Sequence, residues 1–340
     1  MTPRQFAALS VAAVVSAVAA IAVYTSSVEW STATQGGEAL FASLPNQIDQ
    51  VAEITVKQDG KTITLARDGE AWVLKEHESF PASADKVGAL LAGLSRAELV
   101  EAKTRKKDRY SLLGVEDPAD KDASSHLVRL VDRKGDELAA VIVGNARLDA
   151  SGLGNSGTYV RRPRDAQTWL ANTRIDAGIE FTDWVNPQLF EARKEDVESL
   201  TVNLPGEKPL EIERAEDKRG HTLVDMPDGM KLKYVNIVDE IVRAARTIDF
   251  SEVRKQRPQS DEEAVSTIVV ELAGGLKATY RIRQEADAAW LSLAASGEGE
   301  AAKVADALNA RAEGWEFHVP QSRVEEILKR REDLLAKVSS

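Results

Sequence analysis

Residues 51–74 read VAEITVKQDGKTITLARDGEAWVL, apolar and polar side chains in alternation with two Asp-Gly breaks. Strand side chains point to opposite faces in turn, so Ile54 and Val56, Ile63 and Leu65, and Trp72 and Leu74 mark the inner face of three strands. Asp59-Gly60 and Asp68-Gly69 supply the turns, because a type I′ hairpin turn needs φ > 0 at both central positions. After Pro81 the period becomes helical, with Val87, Leu90, Leu91 and Leu94 on one face. Three strands and a helix predict an α+β fold of antiparallel sheet with packed helices.

The same order returns downstream. Leu200, Val202 and Leu204 alternate up to Pro205-Gly206, Leu210 and Ile212 follow, and a polar turn ends at Gly220 before Thr222 to Val224. A helix is expected next, with Val235, Val238, Ile241, Val242 and Ala245 inward. Val197 follows Val51 by 146 residues and Val235 follows Val87 by 148. Such a separation predicts two similar domains, 46–190 and 191–340, since solenoid repeats run about 20–50 residues. Leu127–Val131, Leu138–Val143 and Thr158–Arg162 read as later strands of the first copy. Thr267–Leu272, Leu276–Ile282 and Trp290–Leu293 do so in the second, with a Gly274-Gly275 turn. A last helix is expected from about Ser322, opened by a Ser322/Glu325 capping box, with Val324, Ile327, Leu328 and Leu335 inward and Glu325/Lys329 and Glu326/Arg330 pairs outside.

Upstream, Phe6 to Tyr24 holds no charge and only Ser10 and Ser16 as polar residues. At ~1.5 Å per residue a helix of this length approaches the ~30 Å hydrocarbon core of a bilayer. Arg4 precedes the run and no Lys or Arg follows until Lys57, so the positive-inside rule keeps residues 1–5 cytoplasmic. Residues 6–24 are then a single-pass anchor in the inner (cytoplasmic) membrane and 25–45 a linker. The bulk of the chain falls on the periplasmic or extracytoplasmic side. A cleaved signal peptide is the alternative, because Ala20-Ile21-Ala22 has the small-x-small form.

The chain has 340 residues, no cysteine and a net charge of −11. Disulfides and thiolate chemistry are excluded, and nucleic-acid binding, which requires a basic face, is not expected. Gly152, Gly154 and Gly157 have dinucleotide-fingerprint spacing, but a polar segment precedes them and a strand pattern follows, so a hairpin loop and no nucleotide is expected. Ser156 lacks the second glycine of a nucleophile elbow, since Thr158 stands there. His77, His126, His221 and His318 show no metal-ligand spacing, and Glu76-His77-Glu78 reads as a solvated strand end. Trp72, Trp184, Trp290 and Trp315 are expected in the core, and acidic pairs such as Asp225 and Asp228 carry no catalytic reading. No catalytic, metal or cofactor site is therefore predicted. One exception to the acidic character is the run Lys103, Arg105, Lys106, Lys107 and Arg109. It is the candidate contact for a partner, an anionic glycan or lipid headgroups; the plain reading is a solvated connector.

Three segments carry a family resemblance: Tyr110-Ser111-Leu112-Leu113-Gly114-Val115 with Pro118 after it, Val141-Ile142-Val143-Gly144, and Thr158-Tyr159-Val160-Arg161. In this order they resemble the domain-of-unknown-function 4340 family, over roughly 51–190 and more loosely in the second copy. That resemblance implies a bacterial, commonly membrane-anchored protein, often encoded near ABC-type transporter components like those of gliding motility. It transfers no catalytic residue. The expected function is a non-enzymatic envelope subunit coupling to a partner such as an ABC-type transporter complex; the alternative is an envelope hydrolase acting on cell wall or glycan.

Overall fold

The computed structural model describes residues 37–147, 157–217, 219–258, 265–285 and 288–338. The expected anchor 6–24, its flank 1–5, most of the linker, and Gly152, Gly154 and Ser156 lie outside the described residues. Among the described residues no helix is long and apolar enough to cross a membrane.

In chain order the first elements are β1 (Glu38–Ala39), β2 (Val51–Gln58), β3 (Lys61–Asp68), β4 (Ala71–Leu74), β5 (Phe80–Pro81), α1 (Ala84–Arg96) and β6 (Glu98–Ala102). Then come β7 (His126–Asp132), β8 (Glu137–Arg147), β9 (Gly157–Arg161), β10 (Thr168–Ala171) and β11 (Gln188–Glu191). The second half runs β12 (Val197–Asn203), β13 (Leu210–Arg214), β14 (His221–Leu223), β15 (Met230–Leu232), α2 (Ile237–Ala245), β16 (Thr247–Asp249) and β17 (Glu252–Lys255). It ends with β18 (Val265–Leu272), β19 (Lys277–Glu285), β20 (Ala288–Ser296), α3 (Glu300–Ala312), β21 (Trp315–Val319), α4 (Gln321–Ile327), α5 (Arg331–Leu334) and β22 (Leu335–Lys337). The architecture is antiparallel sheet with a few helices, an α+β fold. Two compact units divide it, Met1–Thr64 with Val87–Ile179, and Leu65–Lys86 with Glu180–Ser340.

In the first unit the strand order is β1-β6-β10-β9-β8-β7-β2-β3. Asp59 and Gly60 sit at φ 42° and 76°, the positive pair that a type I′ turn demands. Alternation puts Ile54 and Val56 of β2 and Val128 and Leu130 of β7 on the buried face, and Val87, Leu90 and Leu94 of α1 are buried as well. Strands β6 and β10 escape the sequence reading, because Glu98–Ala102 and Thr168–Ala171 are too short to show a period.

The second unit holds the sheet β14-β13-β12-β18-β19-β20-β21-β17 and two small ribbons, β11-β16 and β15-β22. Leu65–Asp68 and β4 form a hairpin whose Gly69 takes φ 60°. At its end Phe80 enters an aromatic cluster, 4.8 Å from the Trp315 ring and 5.8 Å from Phe181, while Phe250 stacks 4.9 Å from Phe317. Aromatic rings contribute large buried areas, so this cluster anchors the unit.

Several local expectations are corrected here. Val235 is 89% exposed, and α2 starts two residues later, so Ile237 takes the inward place. The last helix stops at Ile327 without a side-chain cap at its N-terminus, and Leu335 is buried on a strand paired with Met230–Leu232. Arg323 pairs with Glu326 at 3.3 Å and Arg330 with Glu207 at 3.1 Å, in place of the expected i,i+4 pairs. Trp72, Trp184 and Trp315 are buried, whereas Trp290 is only half-buried, because its strand turns it to the outer face.

Candidate partner-contact site

The basic run leaves β6 and is held at both ends. Lys103 donates its backbone N–H to Thr168 O (2.8 Å), and Thr168 N–H returns to Thr104 O (2.9 Å). At the far end the buried Tyr110 hydroxyl donates to Ala166 O at 2.6 Å. This second anchor lies within a 3-10 segment, Lys107–Leu112. Lys103 pairs with Glu101 and lies 5.9 Å from the Tyr159 ring, and Arg105 donates to Gln167 Oε1 at 2.7 Å. Lys106, Lys107 and Arg109 are exposed and make no ion pair among the described residues. The structure therefore separates the five candidates: Lys103 and Arg105 brace the segment, and the other three present charge from a fixed backbone.

The clamp is built from the three family-like segments. Tyr110, Val115 and Ile142 form one buried cluster, with Leu113, Leu127 and Tyr159 packed against it. Gly144 lets the loop run flat over β8: a Cβ there would stand 2.4 Å from Leu113 O. Arg161, almost wholly buried, stacks its guanidinium 4.7 Å from the Tyr110 ring centre and donates Nε to Val115 O at 2.9 Å. A buried guanidinium needs acceptors, and here loop carbonyls, including Glu116 O and Asp165 O, supply them. Glu116 in turn accepts from Ser124 N–H and Oγ and from Ser125 N–H (2.6, 2.9 and 3.3 Å). Burial opposes its ionisation, but these donors prevail and hold its pKa below the ordinary value.

The other residues weighed from sequence disperse. Gly157 is a strand residue opposite Arg147, and a Cβ there would overlap Ala171 O, so strand packing accounts for this glycine. His77 sits in a 3-10 turn, not a solvated strand end, 2.6 Å from Glu252 and 4.5 Å from the Phe181 ring centre. The fully buried His221 ring lies 3.0 Å from Asp239 Oδ1 and 3.0 Å from Val197 O, locking β14 to α2. Burial alone would raise the Asp239 pKa, but His221 and Lys194 outweigh it and lower the value. His318 Nδ1 faces Ser251 Oγ at 2.8 Å on the outer face of the second sheet, a pair that sequence spacing could not show. Among the described residues no group of three His, Cys, Asp or Glu could hold a metal.

The family model for the domain of unknown function DUF4340 matches residues 72–267, well over half of the 340 residues. The chain belongs to this family. No curated protein and no solved structure matches it. All three segments of the DUF4340 resemblance fall inside the matched range, and their side chains meet in the clamp described above. In this chain, then, those segments fix the backbone that carries the basic run.

Proposed function

We propose that the chain is a non-enzymatic envelope subunit, anchored by 6–24 in the inner (cytoplasmic) membrane with its bulk on the periplasmic or extracytoplasmic side. It couples to a partner through Lys106, Lys107 and Arg109, and the partner class that the family resemblance implies is an ABC-type transporter complex. One observation carries this reading: three exposed cations that make no ion pair among the described residues stand on a segment pinned at Thr168 and Ala166. Pinning removes ordering entropy that a floppy loop would lose on binding. An acidic chain that keeps one fixed basic strip is suited to an acidic partner surface, where complementary charge sets encounter rate and register. The anchor would hold this strip near a membrane partner at high effective concentration.

We also propose that the body is a duplication. Strands β6-β10-β9-β8-β7-β2-β3 of the first unit and β17-β21-β20-β19-β18-β12-β13 of the second stand in the same order by chain position. Each order includes one helix after its opening strands, α1 or α2. The experiment is recovery of the tagged full-length chain from membranes in mild detergent, with co-purifying proteins identified by mass spectrometry. Transporter subunits should be retained by the native chain and lost from K106E/K107E/R109E.

The second reading, an envelope hydrolase, is favoured by the Ser251–His318 contact, since a hydroxyl beside an imidazole is the start of a nucleophile pair. It predicts that Ser251→Ala abolishes function while folding and co-purification stay normal. The coupling reading predicts that Ser251→Ala complements fully.

A further inference from the structure

The clamped segment that carries the basic run also presents one apolar side chain. In a 3-10 helix side chains three residues apart eclipse, so Lys107–Leu112 sorts into three stripes. Tyr110 is buried and Leu113, three residues on, packs against the same cluster, so this stripe faces inward. Asp108 and Ser111 form a second stripe, polar and exposed. Arg109 and Leu112 form the third, with Lys106 leading into it at the N-cap. On that stripe Leu112 is 74% exposed.

A lone exposed leucine needs no explanation by itself, and here the backbone supplies a second observation. Leu113 N–H donates to Tyr110 O at 3.0 Å, Gly114 N–H to Ser111 O at 3.3 Å, and Asn145 N–H to Leu113 O at 2.9 Å. Tyr110 and Leu113 already occupy the inward side, so Leu112 cannot withdraw without breaking these bonds. The segment therefore holds an apolar side chain out in solvent beside fixed cations. Such a pairing fits a protein surface where carboxylates rim an apolar socket: burial of the leucine supplies affinity, and the charges set register. An anionic lipid surface fits less well. It favours a broad apolar face over a single side chain, and a chain of net charge −11 is repelled from it.

We propose that Leu112 is the apolar anchor of the contact, entering a carboxylate-rimmed apolar socket on the partner protein while Lys106 and Arg109 meet the rim. The inference rests on the coupling reading and names the chemistry of the surface that the strip meets. The test uses the full-length chain in its membranes. The sequence has no cysteine, so Leu112→Cys gives a single thiol for a benzophenone label. After illumination, mass spectrometry should place the adduct on an apolar residue of one protein, with Asp or Glu beside it. Leu112→Ser should retain about tenfold less of that protein than the native chain, as loss of a buried leucine requires, and Leu112→Met about as much. Both variants should melt with the native chain, since the side chain is exposed. Adducts on lipid, adducts on peptides without Asp or Glu, or full retention by L112S would overturn the anchor. If L112S keeps the protein that K106E/K107E/R109E loses, the anchor fails and the coupling reading stands. If both keep it, the coupling reading itself fails.

Discussion

At the residue scale the sharpest feature is Gly144, where backbone rather than side chain sets the limit. A Cβ would stand 2.4 Å from Leu113 O and 2.6 Å from Gly114 O, and neither carbonyl can swing aside. Gly144→Ala should lower the denaturant midpoint by the equivalent of about 1–3 kcal/mol, the usual range for overpacking. Equal midpoints for the two proteins would show that the loop is not clamped. Glu316 is a second single-residue test. Its removal takes a carboxylate from both Arg254, which keeps Glu285, and Arg283, and breaking a buried pair typically destabilises by about 3–5 kcal/mol, so Glu316→Ala should reduce stability strongly. Acid sensitivity follows from Glu116 and Asp239. Both have folded-state pKa values below their ordinary ones, so each contributes stability that is present above the ordinary value. That stability is lost as pH falls through the lowered folded value. Stability measured by equilibrium unfolding should therefore fall as pH drops below the ordinary carboxylate range, and Asp239→Asn should flatten that limb; an unchanged slope would contradict the His221–Asp239 lock.

Among the elements, the hairpins were legible and the joints were not. Asp59-Gly60 names its own turn because only a positive-φ pair closes a two-residue hairpin with the twist of the strands. The inward faces of β2, β12 and α1 followed from period alone. Strands β6 and β10 are short and carry no clear alternation, so their pairing is set by the sheet around them. Val235 misled because valine at helical spacing looks inward, whereas α2 begins only at Ile237. The candidate site was half legible. The charge of the run could be read, but which cations are braced depends on side-chain geometry: Lys103 turns back on Glu101, two residues before it, and Arg105 reaches Gln167, 62 residues away. The Arg283–Glu316 pair had no local signal, since Arg283 stands in a strand that also carries Lys277, Thr279, Arg281 and Gln284, and Glu316 meets it only through the fold.

On the scale of the whole molecule, Leu65–Lys86 counts with the second unit, so chain order and compact unit do not coincide. A fragment of residues 180–340 would lack Phe80, whose ring touches Trp315 and Phe181. Removing a buried Phe side chain typically costs about 3–5 kcal/mol, so the fragment should melt well below the full chain. Adding residues 65–86 in trans should raise its melting temperature, and a fragment as stable as the full chain would show that the hairpin contributes nothing. Topology has its own check. Protease outside spheroplasts should digest the chain beyond Val51 while sparing the N-terminus; full protection until lysis would overturn the compartment assignment.

The coupling claim is tested most directly by comparing the native chain with K106E/K107E/R109E in one detergent-solubilised membrane preparation, scoring both stability and recovered partners. Exposed charge changes outside a contact usually shift stability by only about ±0.5 kcal/mol, so the two proteins should melt together. The predicted result is equal melting with loss of the co-purifying transporter subunits from the variant. Equal melting with an unchanged set of partners would contradict it.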